Sequence, residues 1–392
     1  MSAPYATLSP SLKDVSRERP SYRHAFSLPA NTHYLNCAYM APLCHAVEAA
    51  GVQALECQRD PLTIPPSAYF TGPDAVRRAF ARLVNAEDPR RIALVPSVSY
   101  AMEVAVRNIS LRRGETVVVI GEEFPSAILP WRRATQRAGA TLRTVARCDD
   151  WNGAVYGAID TTTAVVVLAN VHWSDGAWFD VERLAARARE FGAAVVIDGT
   201  QSVGAMPFDV QAVRPDLLVV AGYKWLLGGY GLSVAYIGPR FDHGDPLEQV
   251  WTSQAGSDDF AKLAEYRDEY RPYAGRYDGG QRASFTLVAM LHAAIEQLIA
   301  WNPATIQRHC AQLFAAWADP LAEVGVTLAP AEKRGAHLAG LRFTDGRSPA
   351  EVSARLHAAG VHISVRGDAI RVSPHLYNTD ADMAALVRAL TP

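Results

Sequence analysis

The chain predicts an α/β fold: a large domain built on a mostly parallel sheet flanked by helices, and a smaller α+β domain. Three observations carry this. Short apolar runs recur at residues 92–95, 116–120, 164–170, 193–197 and 217–220, and runs of that length and composition suit strands buried on both faces. Stretches with helical spacing lie between them, and strand–helix alternation builds a parallel sheet. Two ionisable residues, Asp198 and Lys224, each follow one of the runs. Open sheets of this kind hold ligands at the C-terminal ends of their strands.

The bulk properties narrow the function. The 392 residues are 49% hydrophobic and 20% charged, ordinary for a globular protein with one large domain and one smaller one. The formal net charge is −2, so no basic excess points to nucleic acid or to an anionic membrane. No apolar run approaches the roughly 20 residues of a membrane span. The N-terminal stretch lacks the apolar region of a signal peptide. Five dispersed cysteines, Cys37, Cys44, Cys57, Cys148 and Cys310, argue for reduced thiols and a cytoplasmic location. Cys37, Cys44, Cys57 and His33 or His45 have zinc-binding donors without the spacing of a zinc finger, so no metal is expected.

The elements follow in order. Residues 1–30 are polar and proline-bearing and read as an arm. Residues 33–42 suit a strand and a turn. Residues 42–57 have helical spacing, and the prolines of 60–66 break it. Gly72-Pro73 opens a helix to residue 84, with Val76, Phe80 and Leu83 on one face and Arg77, Arg78 and Arg82 exposed. The strand at 92–95 runs through Pro96-Ser97-Val98-Ser99 into a helix ending near residue 108. A strand, a small-residue turn and a helix N-terminus offer free N–H groups and a dipole to an anion. The strand at 116–120 leads to Gly121-Glu122-Glu123-Phe124-Pro125-Ser126, and a further strand is expected at 142–145. The strand at 164–170 ends in Asn170-Val171-His172-Trp173-Ser174-Asp175-Gly176. A helix over 181–191 returns to the Asp198 strand. After Lys224, one more strand spans 233–237, and 238–279 is polar, aromatic and irregular. Helices are expected at 285–301, up to 324, at 349–359 and at 383–390, with strands near 338–343 and 362–365. The chain divides into an arm joined to the small domain (1–50), a large domain (51–284) and a small C-terminal domain (285–392).

The motifs Asp198-Gly199-Thr200-Gln201 and Tyr223-Lys224 resemble the cofactor-binding core of the class V aminotransferase family. The likeness is to the branch of kynureninases, cysteine desulfurases and isopenicillin N epimerases, within the fold type I pyridoxal-phosphate enzymes. Arg371-Val372-Ser373-Pro374 and Tyr377-Asn378 are similar to the family's closing segment, so the resemblance extends over residues 30–390.

This resemblance implies pyridoxal 5'-phosphate as cofactor. Lys224 would hold it as a Schiff base and later act as a base. Asp198 would face the ring nitrogen, where a carboxylate favours the protonated, electron-withdrawing ring. Val98 and Ser99 would hold the phosphate, and Phe124 would stack on the ring as in kynureninases. Gln201 would reach the ring oxygen or a substrate, and Tyr223 would complete the cofactor site. Family members place an Asn on the phenolic oxygen. Asn170, His172 and Trp173 are its possible counterparts, depending on register, and His172 is favoured. Gly280 and Gln281 stand where the family reaches the neighbouring subunit's phosphate, with Arg282 as a further anion partner. Arg371 would bind the substrate carboxylate bidentately, with Tyr39 on the substrate side. Tyr69, Trp173 and Trp251 suggest an aromatic lining.

The resemblance further implies a homodimer with interface sites and a small amino-acid substrate. The favoured reaction is side-chain cleavage or elimination. Transamination and epimerisation are alternatives, and an inactive cofactor-binding regulator is a third, which the presence of Lys224 and Asp198 opposes. Desulfurases of the family carry a C-terminal cysteine. No cysteine follows Cys310, so persulfide chemistry is not expected.

Overall fold

The computed structural model describes residues 21–391, so most of the expected N-terminal arm lies outside the described residues. The chain opens with a short strand, β1 (His33–Tyr34), and two helices, α1 (His45–Arg59) and α2 (Ala68–Leu83). Alternation then sets in: β2 (Ile92–Val95), α3 (Val98–Asn108), β3 (Thr116–Ile120), α4 (Pro125–Ala138), β4 (Thr141–Val145), α5 (Trp151–Ala158), β5 (Thr163–Ala169), α6 (Val181–Glu190), β6 (Ala194–Asp198), α7 (Val210–Val213), β7 (Leu217–Ala221) and β8 (Ser233–Ile237).

Strands β2 to β8 form one seven-stranded sheet in the order β2-β8-β7-β6-β5-β3-β4. β8 pairs antiparallel with β2 and β7, and the remaining pairs are parallel. The strands read as unbroken apolar runs because both faces are covered. Val118, Ile120, Val195 and Ile197 enter the core on one side, while Val117, Val119, Ala194 and Val196 enter the core on the other. Period-two alternation distributes one run between two cores. Helix starts follow side-chain caps: Ser97 accepts the Tyr100 N–H at the start of α3, and Asp180 the Arg183 N–H at the start of α6.

The C-terminal part carries α8 (Phe285–Trp301), α9 (Pro303–Ala316), α10 (Ala318–Glu323), β9 (Val326–Thr327), β10 (Ala339–Phe343), α11 (Pro349–Ala358), β11 (Val361–His362), β12 (Ser364–Arg366), β13 (Ala369–Val372) and α12 (Asp380–Leu390). A four-stranded antiparallel sheet runs β12-β13-β10-β9. It has its own core of Leu313, Leu341, Leu356, Ile370 and Leu386. β1 pairs in parallel with β11, and Leu35 joins the same core.

Several expectations need correction. The helix expected from Gly72 begins at Ala68 and carries Pro73 inside it. The Thr71 N–H already bonds to the Ser67 carbonyl, so the first turn forms before the proline. Arg77, expected to be exposed, is buried and pairs with Asp278 at 2.5 Å. The strand expected at 362–365 is two short strands with different partners, β11 with β1 and β12 with β13. α8 places Leu291, Ile295 and Leu298 in the large core, because its apolar face packs against α1 and α2.

Candidate active site

Asp198 ends β6, and Lys224 lies just past the end of β7, the neighbouring parallel strand. Both side chains open into a cavity of about 290 Å³ at the C-terminal edge of the sheet, close to the lower end of small-ligand sites, roughly 300 Å³. The turn after β2 and the first residues of α3 supply Pro96, Ser97, Val98 and Ser99 to its wall. The Val98 and Ser99 N–H groups belong to a first helical turn and lack intrahelical acceptors. The Ser97 and Ser99 hydroxyls lie 3.0 Å apart beside them.

Burial sets the electrostatics. Lys224 is 9% exposed, and desolvation lowers its amine to about 8, with Arg371 and Arg366 acting in the same direction and Asp198 and Glu123 opposing. Among the described residues no carboxylate lies within ion-pair distance of it. Burial pushes the Asp198 carboxyl above its ordinary value, against hydrogen bonds from Thr200 and the charge of Lys224. The Thr200 N–H donates to Asp198 Oδ1 at 3.0 Å, and the Thr200 hydroxyl accepts the Ala221 N–H at 3.1 Å. Thr200 thus ties the ends of β6 and β7 together under the carboxylate. Phe124 walls the cavity, with Lys224 Nζ 5.4 Å from its ring centroid. The Tyr223 ring centroid lies 5.7 Å from the same amine.

Arg371 sits on β13, a central strand of the small sheet, and is 1% exposed. Its Nη1 donates to the Trp173 carbonyl at 2.8 Å, while Nε and Nη2 are buried without partners. Burial lowers it to about 9, with Arg366 adding to the shift. A buried guanidinium with two unused donors is the feature that a carboxylate ligand would complete.

Other expected site residues lie elsewhere. His172 does not line the cavity. Its ring is fully buried, with Nδ1 2.8 Å from the Ser174 hydroxyl and Nε2 3.2 Å from the Gly121 carbonyl. Burial pulls its pKa down, but Asp175 and Glu123 outweigh that and hold it above the ordinary value. Asn170 also faces inward and donates to the Phe179 carbonyl at 2.8 Å. Of the three alternatives, Trp173 lines the cavity. Gln201 reaches the cavity wall, but its amide donates to the Ala38 carbonyl and accepts from Trp225 Nε1. These two bonds tie the wall to the segment after β1 and to the turn after β7. Tyr39 is exposed and outside the cavity lining. Gly280 and Gln281 are exposed as well, and the Gly280 N–H donates to Glu248. Arg282 is buried outside the cavity lining, with Nε 3.0 Å from an Asp278 carboxylate oxygen and its guanidinium nitrogens making no hydrogen bond.

Sequence reasoning missed Glu123 and Thr200. Glu122 adopts a left-handed φ of 57°, which turns the next side chain inward. Glu123 therefore lines the cavity with Oε2 buried and unpartnered. The acidic pair after a buried strand was the available signal. Thr200 was hidden inside its own motif.

The match to the family model described as aminotransferase class V spans residues 70–389. The chain belongs to the class V aminotransferase family. A relative named as an uncharacterized aminotransferase of Bacillus subtilis is 26% identical over 313 residues, covering 78% of this chain and 80% of its own. A probable cysteine desulfurase of Streptomyces coelicolor is 30% identical over 298 residues, covering 70% and 69%. Among solved structures, the Escherichia coli cysteine desulfurase CsdA superposes with a TM-score of 0.80 at 20% identity, covering 94% of this chain and 96% of its own. The cystine C–S lyase C-DES, in complex with cysteine persulfide, gives 0.82 at 19%, covering 93% and 99%.

This member of the class V aminotransferase family is a pyridoxal-phosphate-dependent enzyme with the type I fold. Its own residues fit the group. Uncommitted N–H groups open α3, a buried carboxylate and a buried amine end adjacent strands, and an aromatic ring closes one wall.

Proposed function

We propose that this class V enzyme is a lyase that cleaves the side chain of an α-amino acid. The observation that carries the reading is the absence of a thiol at the cavity. Among the described residues no cysteine lines it. Cys37, Cys44 and Cys310 are buried, Cys57 and Cys148 are exposed, and burial pushes the Cys37 thiol up to about 12. A thiol held neutral is a poor nucleophile, so a desulfurase's sulfur acceptor has no candidate. The structural likeness to C-DES, a cystine C–S lyase, favours the same reading. The many relatives named cysteine desulfurases share the family rather than, on this argument, the reaction.

Bound pyridoxal phosphate supplies an aldehyde and an electron-accepting ring. The first turn of α3 takes the phosphate on the Val98 and Ser99 N–H groups. Asp198 would face the ring nitrogen and favour its protonated form, and a cation there would offset the cost of the buried carboxylate charge. Arg371 takes the substrate α-carboxylate on its unused donors. Lys224, neutral above about pH 8, removes the α-proton. Phe124 and Trp173 limit water at the reacting carbon. We further propose a homodimer in which Gly280 and Gln281 reach the neighbouring cofactor site, and a division into segments 1–50, 51–284 and 285–392, with α8 of the last segment packed on the large core.

β-Chloro-L-alanine and L-cystine test the reaction. A lyase releases pyruvate and ammonia from both, with the cofactor still an aldehyde after one turnover. A cofactor left as its amine identifies transamination, the reading that the Bacillus relative's name favours. Racemised substrate without pyruvate identifies epimerisation. A persulfide on any of the five cysteines after incubation with cysteine would overturn the proposal.

A further inference from the structure

The cavity is flanked by a second arginine that neither the motifs nor the reading above assigns. β12 and β13 form a hairpin closed by Gly367 and Asp368, with φ 57° at Gly367, the left-handed value that favours glycine at this turn position. Ser364 pairs with Arg371 and Arg366 with Ala369. Cross-strand partners share a face, and so do alternate residues along a strand. Arg366 and Arg371 therefore project from the same face of the sheet. Gly340 on β10 is the other cross-strand partner of Arg371. A Cβ there would lie 2.6 Å from Asp175 Cβ, so the missing side chain lets the loop carrying Trp173 settle on that face.

Both arginines meet Trp173, a residue of the cavity wall. Arg371 donates to its carbonyl, and the Arg366 guanidinium lies 5.5 Å from its ring centroid. Neither arginine has an acidic partner among the described residues. Asp175 is taken by Arg147 at 2.7 Å and Arg342 at 3.5 Å, and Asp368 by Arg342 at 3.1 Å. Arg366 uses Nη1 on the Val365 carbonyl, and its Nε is buried without a partner. The charge of Arg366 reaches both Lys224 and Arg371 and lowers their pKa values. Two cations with unused donors thus stand on one face behind Trp173, just outside the residues that line the cavity.

We propose that Arg366 is a specificity-determining residue that binds a carboxylate on the substrate side chain, so that the enzyme takes short dicarboxylic α-amino acids. The α-carboxylate goes to Arg371 and the distal carboxylate to Arg366. Diagonal neighbours on one sheet face have backbones roughly 7–8 Å apart, close enough for two long side chains to reach the two carboxylates of one aspartate- or glutamate-sized molecule. The inference rests on the amino-acid reading above and adds the class of side chain.

The test is a titration of the holoenzyme with L-aspartate, L-glutamate and L-alanine, followed by cofactor absorbance. The wild type is expected to bind one of the dicarboxylates at least about 10-fold more tightly than alanine, the scale of a charge-assisted hydrogen bond. Arg366→Leu abolishes that preference while alanine weakens less than about 3-fold, and Arg366→Lys restores part of it. Equal weakening of alanine and the dicarboxylates would mean that both arginines grip one carboxylate, and it overturns the proposal. So does a preference that survives Arg366→Leu. If Arg366→Leu does not fold, Arg366→Gln decides by the same criterion. No absorbance response to any of the three in the wild type overturns the amino-acid reading itself, and this subsite with it. A normal alanine response without preference for dicarboxylates overturns the subsite alone.

Discussion

Asp198 ends β6 and Lys224 follows the end of the neighbouring β7, and the two have opposite tasks. The amine must shed its proton, and the carboxylate must keep a proton on its neighbour. In Lys224→Ala the first turn of α3 still holds the cofactor phosphate. Borohydride should then attach no cofactor to the peptide, while non-covalent cofactor remains on gel filtration. In Asp198→Ala the ring nitrogen loses its anion. An apposed charge is worth roughly 1–3 pKa units, at about 1.4 kcal/mol each. Exchange of the substrate α-proton in deuterated water should therefore slow on the order of 10²-fold, with cofactor content falling only modestly. The pH dependence follows from burial. The free Lys224 amine titrates at about 8, below its ordinary 10.5, so the base form grows as pH rises through 8. α-Proton exchange should climb up to that pH and then level off. In the cofactor-free protein the sign agrees: the unfolded chain binds this proton more tightly, so stability rises with pH between about 8 and 10.5. A flat exchange profile from pH 6 to 9 would remove Lys224 from the role of base.

At the scale of elements, the site depends on where three short segments end. α3 begins at the cavity because Ser97 caps it. β6 and β7 end there in register, held by Thr200. The β12–β13 hairpin brings Arg371 from the small sheet. The segment after β13 carries His375, fully buried, with both ring nitrogens unpartnered and its ring among Phe26, Trp225, Trp301 and Tyr377. Burial holds its pKa down to about 3. The unfolded value is near 6.5, so the unfolded chain binds an extra proton between those limits, and stability falls as pH drops through that window. His375→Phe keeps the packing and removes the proton. Its urea-unfolding free energy should lose pH dependence by about 1.4 kcal/mol per pH unit between pH 4 and 6. An acid limb as steep as the wild type's would show that His375 is not its source.

At the scale of the whole molecule, the chain's beginning is built into its end. Leu35 is fully buried in the core of the small sheet, and the Ser373 N–H donates to its carbonyl at 2.8 Å. This anchors the segment next to Arg371. Leu35→Ala should cost about 2–5 kcal/mol in denaturant unfolding. It should also weaken amino-acid binding, because the segment that follows Arg371 loses packing support. A loss below about 1 kcal/mol would mean that the segment is only loosely joined.

The sequence by itself determined the α/β class, the strands of the large sheet, and the Asp198, Lys224 and Arg371 motifs. Those signals are local. A strand buried on both faces must be apolar throughout, and the chemistry sits where such a strand stops. Only the tertiary structure decided which side chains meet. His172 was favoured by spacing, yet alternation after β5 sends it inward and leaves Trp173 at the cavity. Arg282 was read as an anion partner, and folding places it in the interior beside Asp278. Arg77 was placed on the solvent face, and the same aspartate draws it in. Glu123 depends on one left-handed residue before it, and Arg366 on a hairpin register that aligns it with Arg371. Each of these turns on backbone direction or on a partner distant in sequence, and neither leaves a periodic trace in the order of residues.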